Sequence, residues 1–179
     1  MFHPDTQALI DLWTALSRGE AVRAGLPARA ALRPDALGPR LTRAFLAERS
    51  DDDLRIRLAG DWLEAFHDGP LTGATLSAMW RAGSIAMVGA AVRQSVREAR
   101  PVVIVAGVDA GHAALEVTVT AFQGAGAGQE LILGLVAPTA TLTLPAHTPH
   151  RLSARMSMAV GDPARPRLAL AALDGRRIA

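Results

Sequence analysis

The stretch SIAMVGAAVRQSVREARPVVIVA, residues 84–106, changes its periodicity part-way, and that change decides the fold. Up to Arg100 the apolar positions are helical. Ile85, Val88, Val92, Val96 and Ala99 line one face, with Arg93, Arg97 and Arg100 away from it. Gly89 inside this helix costs roughly 1 kcal/mol against alanine, which points to close packing at that position. From Pro101 to Ala106 the pattern becomes a run of Val and Ile, which reads as a strand.

Working downstream, Gly107 to Gly111 reads as a turn. Leu115, Val117 and Val119 then alternate with Glu116, Thr118 and Thr120, a strand by its period of two. Gly124 to Gly128 is a loop, and Leu131 to Val136 is an apolar run for a central strand. Beyond Pro138 the pattern weakens. Thr139 to Leu144 would make one more strand and Leu168 to Leu173 a short element, separated by Pro145, Pro149, Pro163 and Pro166.

Upstream, Ala44 to Ala47 reads as a strand and Ser50-Asp51-Asp52-Asp53 as a turn. Leu54, Ile56 and Leu58 alternate with Arg55, Arg57 and Ala59, the half-buried second strand of a hairpin. Trp62, Leu63 and Phe66 have helical spacing before the breaker His67-Asp68-Gly69-Pro70. Leu71-Thr72-Gly73 leads into another short helix ending near Trp80. At the N-terminus, Asp5 or Thr6 would cap a first helix whose stripe is Leu9, Leu12, Trp13 and Leu16, with Ile10 beside it. Leu26-Pro27 and Arg33-Pro34 are extended dipeptides, and Asp35 starts a helical turn to about Leu41. The order is helix, two strands, several helices, three strands. That predicts an α+β fold: an antiparallel sheet of about five strands with helices on one face, and an N-terminal helical extension. The domain spans residues 5–138, followed by a basic Pro/Ala/Arg-containing tail, 139–179, with room for one extra strand.

The order of elements resembles a PAS domain. Leu12-Trp13, Leu26-Pro27-Ala28-Arg29, Arg33-Pro34-Asp35, Arg57-Leu58-Ala59-Gly60, Phe66 and Gly69, Leu71-Thr72-Gly73, Leu76 and Trp80, Leu115-Glu116-Val117 and Leu131-Ile132-Leu133-Gly134 follow in register. Together they are similar to the PAS-like proteins of alphaproteobacteria first described as a domain of unknown function. The match covers roughly residues 6 to 138. Asp61 stands where that family tends to have Thr, and Ala30-Ala31-Leu32 replaces its Asp-rich stretch. The resemblance implies a bacterial signalling module, a sensor or protein–protein interaction domain, without implying catalysis, and with no targeting segment in view a cytoplasmic location is the default expectation. It also implies a homodimer, since PAS domains often pair through the N-terminal extension. Leu9, Leu12, Trp13 and Leu16 are the candidate interface.

Composition narrows the chemistry. The 179 residues include no Cys, Lys, Asn or Tyr, and 50% are hydrophobic. Without Cys there is no disulfide, thiolate metal site or cysteinyl chromophore adduct. The long helix carries no His, and Met87 is its one soft ligand, so no haem or other cofactor is expected. His147-Thr148-Pro149-His150 reads as a solvated pair, His67 as a turn residue, and Asp51-Asp52-Asp53 as a hairpin turn that lacks the ligand spacing of a calcium loop. No metal site is expected. The sequence pI of about 10.7 reflects an all-Arg basic complement, because the formal net charge is only +2. The tail lacks the interleaved aromatics of a nucleic-acid binder. No signal peptide or membrane span is visible. Large apolar side chains at Trp62, Phe66, Leu76, Trp80, Met87 and Val88 are the candidate lining of a pocket for a small apolar ligand. The other reading is an acid–base enzyme with Asp61, Asp109 or His112 as base in a cone-like cavity. In the sensor reading all three lie at the surface or at element ends, with Asp61 capping the helix after Gly60.

Overall fold

The computed structural model describes residues 1–19, 22–50, 53–109, 114–124, 126, 129–139 and 148–164. Helix α1 runs from Pro4 to Ser17. Pro4 suits the first turn, where its missing N–H leaves nothing unbonded. The cap is His3, whose Nδ1 accepts from the Asp5 N–H at 3.1 Å, so neither Asp5 nor Thr6 takes that place. A small antiparallel ribbon follows, β1 (Val22–Arg23) with β2 (Leu26–Pro27), turned through Ala24 and Gly25 at positive φ. Three turns of 3-10 helix, Arg29–Ala31, Pro34–Ala36 and Gly38–Arg43, lead into the hairpin of β3 (Ala44–Ser50) and β4 (Asp53–Ala59).

Helix α2 (Asp61–His67) begins directly after Gly60 and stops where Asp68 turns left-handed. A 3-10 turn, Leu76–Met79, precedes α3 (Ile85–Glu98). The remaining strands are β5 (Val102–Val108), β6 (Ala114–Gln123), β7 (Glu130–Pro138) and β8 (Leu152–Ala159). The sheet order is β4-β3-β7-β6-β5-β8, every pair antiparallel. The fold is the α+β architecture expected, with a sixth strand. β8 joins at the edge beside β5, within the segment read as a tail. The remainder of the strand expected after Thr139, and the element at Leu168 to Leu173, lie outside the described residues.

Both faces of the sheet are covered, not one. In β6 the odd side chains Leu115, Val117 and Val119 and the even ones Glu116, Thr118 and Thr120 are all buried. The even face carries α1: Glu116 Oε2 accepts from the His3 N–H at 2.9 Å, and Trp13 Nε1 donates to the Ala121 carbonyl at 2.8 Å. The apolar stripe of α1 therefore finds cover within the chain. Leu9 and Trp13 are 1% and 3% exposed, and Leu12 and Leu16 pack at the rim of the same core. On the other face α3 packs against β5, β6 and β8, with Ser95 Oγ donating to Arg100 O.

Two readings of local pattern change. Ile85 is largely exposed although it falls on the apolar stripe of α3. Gly89 is not tightly packed: a Cβ there would meet only the Arg93 guanidinium at 3.2 Å, the far end of a flexible side chain. Gly89→Ala should therefore stabilise the fold by about 1 kcal/mol through helix propensity. The urea midpoint measures this, and a destabilised variant would reveal packing that the backbone geometry does not show.

Candidate functional site

A leucine-lined cavity lies on the α1 face of the sheet, beneath the 3-10 turns. Its volume is about 340 Å³, within the range of small-molecule sites. Leu32 and Leu37 flank the 3-10 turns and Leu41 lies within the third, while Leu46 comes from β3, Leu58 from β4 and Leu133 from β7. A β-bulge makes this possible. The register pairs Ala47 with Ile56 but Leu46 with Leu58, so one extra residue on β4 reverses which face its side chains meet. Leu54 and Ile56 stay in the core on the α3 face, while Leu58 crosses over and is 60% exposed at the cavity mouth. The strict alternation expected for β4 thus breaks at Arg57. Leu41, 42% exposed, faces solvent at the same mouth. The polar lining is Arg29, Thr42 and Asp61.

The roof of this cavity is tied to α1 by charge. Asp5 accepts from Arg40 Nε and from Arg43 Nη2, each at 2.7 Å. Burial alone would raise the Asp5 pKa, but the bonds from Arg43 and Arg40 outweigh it and the carboxyl is held below its ordinary value. Asp5 sits in the first turn of α1, and both arginines lie in the 3-10 turn Gly38–Arg43.

None of the six side chains expected to line a pocket borders the leucine cavity. Leu76, Trp80 and Val88 border a space of about 70 Å³, together with Gly89 and Val92. The Trp80 indole N–H is buried and has no acceptor among the described residues. Trp62 and Phe66 stack on each other at 5.2 Å between ring centroids, and Met87 is half-buried. The leucine cavity was missed because the 3-10 segment has neither helical nor strand periodicity, and because the bulge is invisible in the sequence.

The polar candidates separate. Asp61 is the first residue of α2, so the cap position belongs to Gly60, and the carboxylate is exposed without a partner among the described residues. His112 lies outside the described residues, as does His147. Asp109 follows β5 at φ 49°. Its Oδ2 accepts from His150 Nδ1 at 2.8 Å, and Oδ1 accepts from the Arg151 N–H at 3.0 Å. His150 is buried rather than solvated. His67 is also engaged. Its Nδ1 must carry the proton, because it donates to the His150 carbonyl at 2.6 Å. The His150 N–H returns a bond to Phe66 O at 3.1 Å. The Nε2 atoms of both rings are sealed from solvent without partners among the described residues. No sequence signal foretold this cluster, since His67 and His150 are 83 residues apart.

Burial pushes the His67 pKa down to about 4. The His150 carbonyl and Asp109 oppose the shift, and Arg151 and His150 add to it. An unfolded histidine titrates near 6.5. Between these values the unfolded chain binds a proton that the native chain refuses, so stability falls as pH drops from 6.5 towards 4. The loss should approach about 3 kcal/mol at the acid end. His67→Gln should flatten the profile of unfolding free energy in that window. An unchanged slope would mean that His67 titrates normally in the fold.

No helix of the described residues is long and apolar enough to cross a membrane. Compared with known protein families, residues 1–137 match the family described as PAS domain. No curated protein matches the chain.

Proposed function

The chain belongs to the PAS domain family, and on that premise we propose a sensory and protein-interaction module that works without catalysis. A small apolar molecule enters the leucine cavity beneath the 3-10 turns. Its presence is passed on through α1 to another protein or to a second copy of the chain. The observation that carries this reading is the construction of the cavity roof. The turn that closes over the leucines is the turn whose Arg40 and Arg43 grip Asp5 of α1. A molecule that shifts the roof therefore pulls on the helix that covers the sheet.

The non-catalytic reading is supported by where the protonatable groups sit. The Asp109–His150 pair has the hydrogen-bonding pattern of an oriented base, but the free ring nitrogen that would take a proton is shut away from solvent. Asp61 borders the leucine cavity but is paired with no ionisable group among the described residues. Titrating the protein with toluene while following amide NMR signals tests the ligand part of the proposal. Saturable shifts at Leu32, Leu41 and Leu58 are expected. Shifts confined to Leu76, Trp80 and Val88 would move the ligand to the α3 face, and no saturable shift at all would leave only an interaction module.

A further inference from the structure

Resting on that reading, the cavity lining points to a more definite ligand. We propose that the leucine cavity is a site for a zwitterion with an apolar body, of the chemical class of a free aliphatic or aromatic amino acid. Six leucines form the apolar walls, and the charged lining consists of one cation, Arg29, and one anion, Asp61.

Neither charge is used up by the fold. Arg29 is half-buried, and its one hydrogen bond runs from Nη1 to the Leu32 carbonyl at 3.3 Å, leaving the rest of the guanidinium fork unengaged. It has no carboxylate partner among the described residues. Asp61 has no cation partner among them either, and the two form no ion pair with each other. The other arginines of the roof are committed: Arg40 and Arg43 to Asp5, and Arg33 to Asp35. Both charges that border the cavity are thus spare.

Their combination selects against simpler ligands. An apolar carboxylate would meet Arg29 favourably but would bring a second negative charge to the site of Asp61. An apolar amine would do the reverse. A neutral hydrocarbon would fill the walls and leave both charges in water. A molecule carrying a carboxylate and an ammonium around an apolar side chain answers all three features at once. Charge-assisted hydrogen bonds would orient its ends, and burial of its side chain would supply the apolar part of the affinity.

Isothermal titration calorimetry with L-leucine, L-phenylalanine, 4-methylpentanoic acid, 3-methylbutylamine and toluene, paired with amide NMR, tests this. The two amino acids should bind, with shifts at Leu32, Leu41 and Leu58. The acid and the amine, each lacking one charge, should bind at least about tenfold more weakly. Arg29→Gln and Asp61→Asn should each weaken the amino acids by a similar factor and leave toluene unaffected. Arg29 is half-buried and Asp61 is exposed, and an unchanged thermal midpoint verifies that each variant folds. If the acid, the amine and toluene bind as tightly as the amino acids, the charges are not read and this inference falls, while the apolar cavity stands. If toluene binds and the amino acids do not, the result is the same. If no probe binds, both the inference and the ligand part of the proposed function fall.

Discussion

Gly60→Ala should destabilise the fold by about 3 kcal/mol or more. Gly60 has φ −80°, which any residue adopts, so backbone conformation does not require glycine there. Space does. A Cβ at Gly60 would lie 2.2 Å from the Leu41 carbonyl oxygen and 2.3 Å from that of Thr42. These are backbone atoms of the cavity roof and cannot rotate away as a side chain would. The Gly60 N–H also donates to Ala44 O at 2.9 Å, which holds the glycine against the start of β3. The methyl group must therefore lift the 3-10 turn off the end of β4 or pull that hydrogen bond apart. Urea denaturation of the variant measures the loss, and faster amide exchange over residues 38–43 would locate it. A variant within about 1 kcal/mol of the parent would mean that the roof is not seated on Gly60.

The second large effect is expected at Trp13. Trp13→Ala should cost about 3–5 kcal/mol, the usual range for deleting a buried aromatic side chain. The ring is 3% exposed beneath α1, and its Nε1–H···O bond to Ala121 anchors the helix to the sheet. A Trp13 that instead waited at a subunit interface would behave differently. Its loss would leave a stable folded monomer. Urea unfolding combined with light scattering separates the two. A large drop in stability without a change in mass supports the intramolecular anchor. A dimer converted to a monomer of unchanged stability would assign α1 to assembly.

The long periodic segments were legible. The helix of residues 85–98 follows from 3.6-residue spacing, β6 from 2-residue spacing, β5 and β7 from continuous apolar runs, and the hairpin around Ser50 from its acidic turn. β8 was not. Leu152-Ser153-Ala154-Arg155-Met156-Ser157-Met158-Ala159 contains no β-branched residue, and its strand state comes from pairing along β5 at the sheet edge. The second covered face was hidden for a related reason. Thr118 and Thr120 look solvent-facing in an alternating strand, yet both are fully buried beneath α1, where Thr120 Oγ1 donates to Leu133 O at 3.1 Å. The site was the least legible part. Its leucines are gathered from four separate segments, and the one on β4 reaches the cavity only through a bulge. The histidine cluster joins the end of α2 to the start of β8 by contacts that no local pattern encodes.

In the proposed function, the link from roof to helix is what would separate a sensor from a passive binder. Hydrogen–deuterium exchange measured with and without saturating cavity ligand tests that link. Slower exchange over residues 29–43 is expected from occupancy alone. The account further predicts a change across α1, Pro4–Ser17, that disappears in Asp5→Asn, because that substitution removes the charge gripped by Arg40 and Arg43. Protection confined to residues 29–43, with α1 unchanged in the parent protein, would contradict it.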